Sequence, residues 1–235
     1  MTRQADIFGS AIVAVGAFNP AILSPEWLHH HDLIGSGDLD EALKCPSLVI
    51  SQQVTIYETD WFFLQAFDSQ LSLTSKGALT PALADLAIGI FTLLPHTPIT
   101  AIGLNFLAHF RMSSIEEYHR VGDSLAPKNM WMQLYPEQKV SAGLQDLTIK
   151  IQQTNDERNV ASPNEKKITV QPSTKVPTGI FLSYNDHRVI GGGGDKSKNY
   201  APAETAAEII EADWENAQKD ALRVFDLVLS NALTG

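Results

Sequence analysis

The sequence predicts an α+β chain made of two pseudo-repeats, each a strand, a short helix, several antiparallel strands and a long helix. Three observations carry this reading. Stretches with a period of two between apolar side chains recur along the chain, as half-buried strands require. Two segments with a helical period, residues 81–94 and 202–233, close the two halves. The strands before each of them read as an antiparallel meander with one half-wet face. The expected product is one curved antiparallel sheet with helices packed on one side. Residues 1–97 form the first pseudo-repeat and residues 98–235 the second, in one compact unit that shares a core.

The first half opens with residues 11–19 (AIVAVGAFN), an apolar, β-branched run bounded by Pro20. Ser24 then caps a short helix that has Pro25 at its first position and Glu26 in its first turn. Gly35 and Gly37 read as loop punctuation. Residues 48–57 alternate, with Leu48, Ile50, Val54 and Ile56 expected on the core side. Val49, Ser51, Gln53, Thr55 and Tyr57 are then expected on the other face. Residues 61–67 and 71–74 continue as strands. Thr80-Pro81 opens a helix whose stripe of Leu83, Leu86, Ala87, Ile90 and Leu94 leaves little that is polar, so it is expected to be buried on most sides.

The second half begins at residues 99–112, where Ile102, Leu104, Phe106, Ala108 and Phe110 share one face and Asn105, His109 and Arg111 the other. Ser113 or Ser114 caps a short helix with Glu116 and Glu117 in its first turn. Strands are expected near residues 130–135, 144–153, 167–171 and 179–185, with a polar loop at 154–165. The glycine-rich run 191–199 reads as a mobile connection, and Pro202 as the start of the last helix.

This element order resembles the tandem repeat of TATA-box-binding-protein-like folds. The resemblance is topological and rests on no contact motif. It implies two halves joined in one curved sheet with helices on the convex side. An unduplicated helix-grip sheet is the alternative architecture.

Composition bounds the function. A hydrophobic fraction of 44% with 19% charged residues is globular and not disordered. A net charge of -10 argues against a sequence-independent grip on nucleic acid, which needs Lys and Arg to displace counterions. Cys45 is the only cysteine, which excludes an intramolecular disulfide and favours a reduced, cytoplasmic setting. No apolar run reaches the about 18 residues of a membrane span, so no membrane association is expected.

The motifs carry little chemistry. The run GGGGDKSK at 191–198 fails the phosphate-loop spacing, because Asp195 and not Gly precedes Lys196. His29, His30 and His31 are consecutive, so on a helix they splay by about 100° each and cannot converge on one ion. No metal site and no cofactor is expected. The adjacent pair Asp186 and His187 suggests a general base, but no nucleophile elbow accompanies it.

The half-wet sheet face is the better candidate. Gln53, Thr55, Tyr57, Asn105, His109 and Arg111 are mostly uncharged, aromatic or hydrogen-bonding, which suits protein recognition. The expectation is a non-enzymatic binding or scaffold protein that holds a protein partner, its own copy or a small ligand on that face. The alternatives are a hydrolase that uses His109 or the Asp186/His187 pair, and nucleic-acid binding by analogy with the fold, which the charge disfavours.

Overall fold

The computed structural model describes residues 3–77, 81–155, 160–191 and 200–231. Its first strand, β1 (Ile7–Gly16), leads through a short 3-10 turn at Pro20–Ile22 into α1 (Pro25–His30) and α2 (Ser36–Lys44). Four strands follow: β2 (Val49–Ile50), β3 (Val54–Glu58), β4 (Phe62–Phe67) and β5 (Gln70–Ser75). The helix α3 (Ala82–Leu93) closes this half. The long strand β6 (Pro98–Arg111) opens the next, followed by α4 (Ile115–Leu125) and α5 (Asn129–Met132). Then come β7 (Leu147–Asn155), β8 (Val160–Pro172), β9 (Gly179–Val189), the two-residue β10 (Ala201–Pro202) and α6 (Ala203–Asn231).

All ladders are antiparallel and join one sheet, in the order β2-β3-β4-β5-β1-β6-β9-β8-β7. This is the α+β class with one large antiparallel sheet. Its two opening strands, β1 and β6, pair with each other at the centre. Their ladder shifts register between Val15 and Gly16. A Cβ at Gly16 would collide with the Pro98 carbonyl, so the bulge needs glycine. No described helix is long and apolar enough to cross a membrane.

The core lies on one face of the sheet. Ile12 and Ala14, Leu71 and Leu73, Phe62 and Leu64, and the even-numbered residues 102–110 of β6 are buried there. Helix α3 covers β1 and β5, α6 covers β6 and β9, and the two helices pack on each other. Trp214 of α6 lies against Phe106, with ring centroids 4.8 Å apart, and Phe225 meets Phe110 edge-on. Ser114 caps α4 by accepting from the Glu117 amide, while Glu117 reaches back to the Ser113 amide.

Several expectations change. Residues 48–57 are not one strand: a turn at 51–53, held by the Ser51 hydroxyl, folds β3 back on β2. Gln53 therefore sits exposed in a turn instead of on the sheet. The faces of β3 are also inverted. Tyr57 stands in register with Leu64 and Thr55 with Ala66, so both point into the core, while Val54 and Ile56 are half-buried on the other face. Register with β4 decides the face, and alternation alone cannot. Gly35 and Gly37 flank the start of a real helix, α2, whose Gly35 amide is bonded by Asp38. Residues 129–132 are helical, not extended. Strands β7 and β8 extend into the expected loop at 154–165, and Pro202 pairs with Pro98 before α6 begins. The glycine run from 192 to 199 and the capping residue Thr80 lie outside the described residues.

Candidate functional site

Two regions gather groups that core packing does not require. The first is the face of the sheet opposite the helices, which no described element covers. Register places Ile56, Gln65, Ser72, Val13, Gly103 and His187 along one row across it. The next row runs from Phe63 through Thr74, Ala11 and Asn105 to Asn185. On β1, β4 and β5 this face holds no Asp, Glu, Lys or Arg. Val15 and Phe67 are 40% and 38% exposed there. Charges enter only toward the margin, where Glu165 pairs with Lys150 and Lys167 at 2.9 and 2.6 Å. Those two lysines hold the Glu165 carboxyl down at about 2.

Of the residues expected on this face, β6 positions three. Asn105 is half-buried, donates to the Ala11 and Gly103 carbonyls and pairs with the Asn185 amide. Arg111 is exposed and pairs with Asp6, whose carboxylate also accepts from the Arg111 amide. His109 is buried, stacks on Phe181 and lies 2.8 Å from the Ser173 hydroxyl. Burial and Lys175 hold its pKa below the usual value, so the ring is neutral at pH 7. The Ser173 oxygen already accepts the Lys175 and Val176 amides, so its own proton goes to His109 Nδ1. That oxygen caps a turn that ends at Thr178, a β-branched residue with φ of 51°. With its lone pairs given to the backbone, Ser173 is a poor nucleophile, and the contact orients a turn.

Gln53, Thr55 and Tyr57 do not join them. The Thr55 hydroxyl donates to the Pro20 carbonyl at 2.7 Å, and Tyr57 packs edge-on against Phe62. Asp186 and His187 do not meet either, because successive strand residues point to opposite faces. His187 lies on the bare face in register with Gly103, and Asp186 on the helix side in register with Leu104. Burial leaves the Asp186 carboxylate 2% exposed, and Arg188 takes both of its oxygens at 2.8 and 2.9 Å.

The second region is a cavity of about 330 Å3 where α6 crosses β8 and β9 on the helix side. Lys166, Tyr184, Asp186 and Arg188 from the strands face Asp220, Arg223 and Val224 from the helix. Lys166 binds Asp220 at 2.7 Å, Arg223 binds the other oxygen of Asp220 at 3.1 Å, and Arg188 adds Asp213 at 2.9 Å. Burial pulls the Lys166 ammonium down, but Asp220 and Tyr184 outweigh it and hold it above the usual value. Lys166, in turn, holds Asp220 below the usual carboxylate range. The Tyr184 side chain is 1% exposed, and its hydroxyl has no hydrogen-bond partner among the described residues. Burial pushes that phenol up in pKa, and Lys166 pulls it part of the way back.

Sequence reasoning missed Lys166, Tyr184, Arg188 and Asp220. A signal was present. Lys166 is in phase with Ile168 and Val170, and Asp186 and Arg188 are in phase with Leu182 and Tyr184. Charge at core parity on two neighbouring strands marks a polar pocket on the buried side. Also missed were Met130, Trp131, Leu134 and Tyr135, all more than half exposed around α5.

No protein-family model matches the chain, and no curated protein is similar to it.

Proposed function

We propose that this chain is a non-enzymatic binding protein that holds a protein partner on the bare face of its sheet. One observation carries the reading: an uncovered antiparallel face whose strands β1, β4 and β5 present only apolar and uncharged polar side chains. A solvated sheet face ordinarily carries charge, whereas depletion of charge is a mark of interface centres. Ser72, Gln65 and Thr74 place hydrogen-bonding groups among Val13, Phe63 and Phe67. The residues first suspected of catalysis fit this reading, since His109 and Asp186 are held by Ser173 and Arg188. A nucleic-acid ligand fits poorly, because the centre of the face offers no cation to a phosphate.

The test is photo-cross-linking in native cell extract from a probe at Ser72, compared with the same probe at Glu215 on the solvent side of α6. Discrete protein adducts from position 72 alone, one of which is a second copy if the chain self-associates, are the expected result. Equal labelling from both positions would sink the proposal.

A further inference from the structure

The hydrogen bonds around the α6 cavity leave an imbalance. Asp220 gives one oxygen to Lys166 and the other to Arg223, and Asp186 gives both to Arg188. Lys166 gives one of the three protons on its ammonium to Asp220 and turns a second toward the Tyr184 oxygen, which leaves one spare. The Tyr184 hydroxyl beside it gives its proton to no group among the described residues. Spare capacity on the lining is therefore mostly donor capacity.

Charge is unevenly placed as well. Arg188 sits between two carboxylates, Asp186 and Asp213. At the other end Lys166 and Arg223 share the single carboxylate of Asp220, which leaves one positive charge there. Glu165 does not cancel it, because its carboxylate belongs to Lys150 and Lys167 on the opposite face. The remaining wall is apolar at Ile151, Ile168 and Val224 and polar at Asn164, whose side-chain oxygen accepts from the Val189 amide. Ile151 is 51% exposed although its register with Lys166 puts it on the helix side, so α6 does not reach the sheet edge and the cavity opens there.

A volume of about 330 Å3 lies at the small end of ligand pockets. The Tyr184 proton meets no acceptor among the described residues, which is costly in a buried hydroxyl, and a ligand that brings an acceptor relieves that cost. We propose that this cavity is a binding site for a small monocarboxylate with an apolar body. The carboxylate lies between the Tyr184 hydroxyl and the Lys166 ammonium, and the body lies against Ile151, Ile168 and Val224.

Titration calorimetry with 3-phenylpropanoate tests it, with phenethylamine as a probe of similar body and opposite charge. The carboxylate is expected to bind and the amine to give no heat. Tyr184→Phe should weaken 3-phenylpropanoate by about fivefold, the worth of one hydrogen bond. Lys166→Met should weaken it by more than about tenfold, since it removes a charged donor. Tyr57→Phe removes the other buried hydroxyl that lacks a partner and should leave the affinity unchanged. Tyr184→Phe deletes a group that holds nothing else in place, so it folds even if Lys166→Met does not. The proposal is overturned by absence of 3-phenylpropanoate binding up to about 1 mM. Equal binding of the amine, or the same affinity in Tyr184→Phe as in the parent, would overturn it too.

Discussion

Tyr57 and Tyr184 are both buried tyrosines whose hydroxyls have no partner among the described residues, and they occupy opposite ends of the same sheet face. Their surroundings differ. One cross-strand row runs Tyr57, Leu64, Leu73, Ile12, Leu104, Asp186, Lys166 and Ile151. Its first five members are fully apolar but for one phenol, and the 3-10 turn and α2 at β3, α3 at β5 and β1, and α6 at β6 cover them. The next two are an acid and a base, and α6 leaves a cavity over them. The same sheet face thus builds a dry core at one end and a charged pocket at the other. Tyr57 is walled in, whereas Tyr184 borders a space that a ligand can fill.

The largest expected effect asks whether the dry end is the stability core. Ile90 of α3 is 1% exposed, so Ile90→Ala should lower unfolding free energy by about 2–5 kcal/mol. Val224 lines the cavity and is only half-buried, so Val224→Ala should cost less than about 1 kcal/mol. Urea melts give both numbers, and equal losses would erase the distinction between the ends.

Next comes the polar end. Asp186→Ala removes the carboxylate that occupies two arms of Arg188 and leaves that guanidinium with Asp213 alone. A buried pair broken on one side typically costs 3–5 kcal/mol, and partial exposure of Arg188 reduces this to about 2–3 kcal/mol. A second change, Arg188→Met, should recover part of the loss in the same denaturant assay. No recovery would mean that Asp186 acts by packing and not by charge.

A smaller effect separates both ends from the chain margin. Burial raises the pKa of Glu117, but the Ser113 hydrogen bonds and Arg3, 2.5 Å away, outweigh it and hold the carboxyl below its ordinary value. A depressed carboxyl contributes stability above its unfolded pKa and loses it as pH falls through the folded one. Glu117→Gln should therefore be less stable than the parent near pH 7, with the gap closing as pH drops below about 4. A gap that stays constant down to low pH would show that the carboxylate charge is irrelevant.

The apolar skeleton was legible in the sequence because periodicity reports it directly. The stripe of α3 and the even-numbered core residues of β6 stand where alternation puts them. Which face is buried was not legible wherever both faces carry aromatic or branched residues. In β3, Val54 and Ile56 look as core-like as Thr55 and Tyr57, and only pairing with Leu64 and Ala66 chooses between them. The cavity was hidden for a related reason. Its charges come from β8, β9 and α6, up to about sixty residues apart in sequence, and they converge only through the sheet order. The bare face was readable as a set of residue types, yet Tyr57 and Thr55 had been counted to it and belong to the core.

The smallest effect is the sharpest test of the comparison. At Tyr57, which is 0% exposed, burial drives the phenol pKa far up. The hydroxyl has no hydrogen-bond partner among the described residues, so its removal deletes a desolvation penalty and leaves the Phe62 contact in place. Tyr57→Phe should thus raise unfolding free energy, by up to about 1 kcal/mol. Tyr184→Phe should change it less, because Lys166 lies beside the phenol oxygen and offsets part of the cost of burying it. Paired urea melts of the two variants decide the order. A Tyr57→Phe protein less stable than its parent would mean that this hydroxyl is satisfied after all, and that the two tyrosines do not differ in the way the sheet row implies.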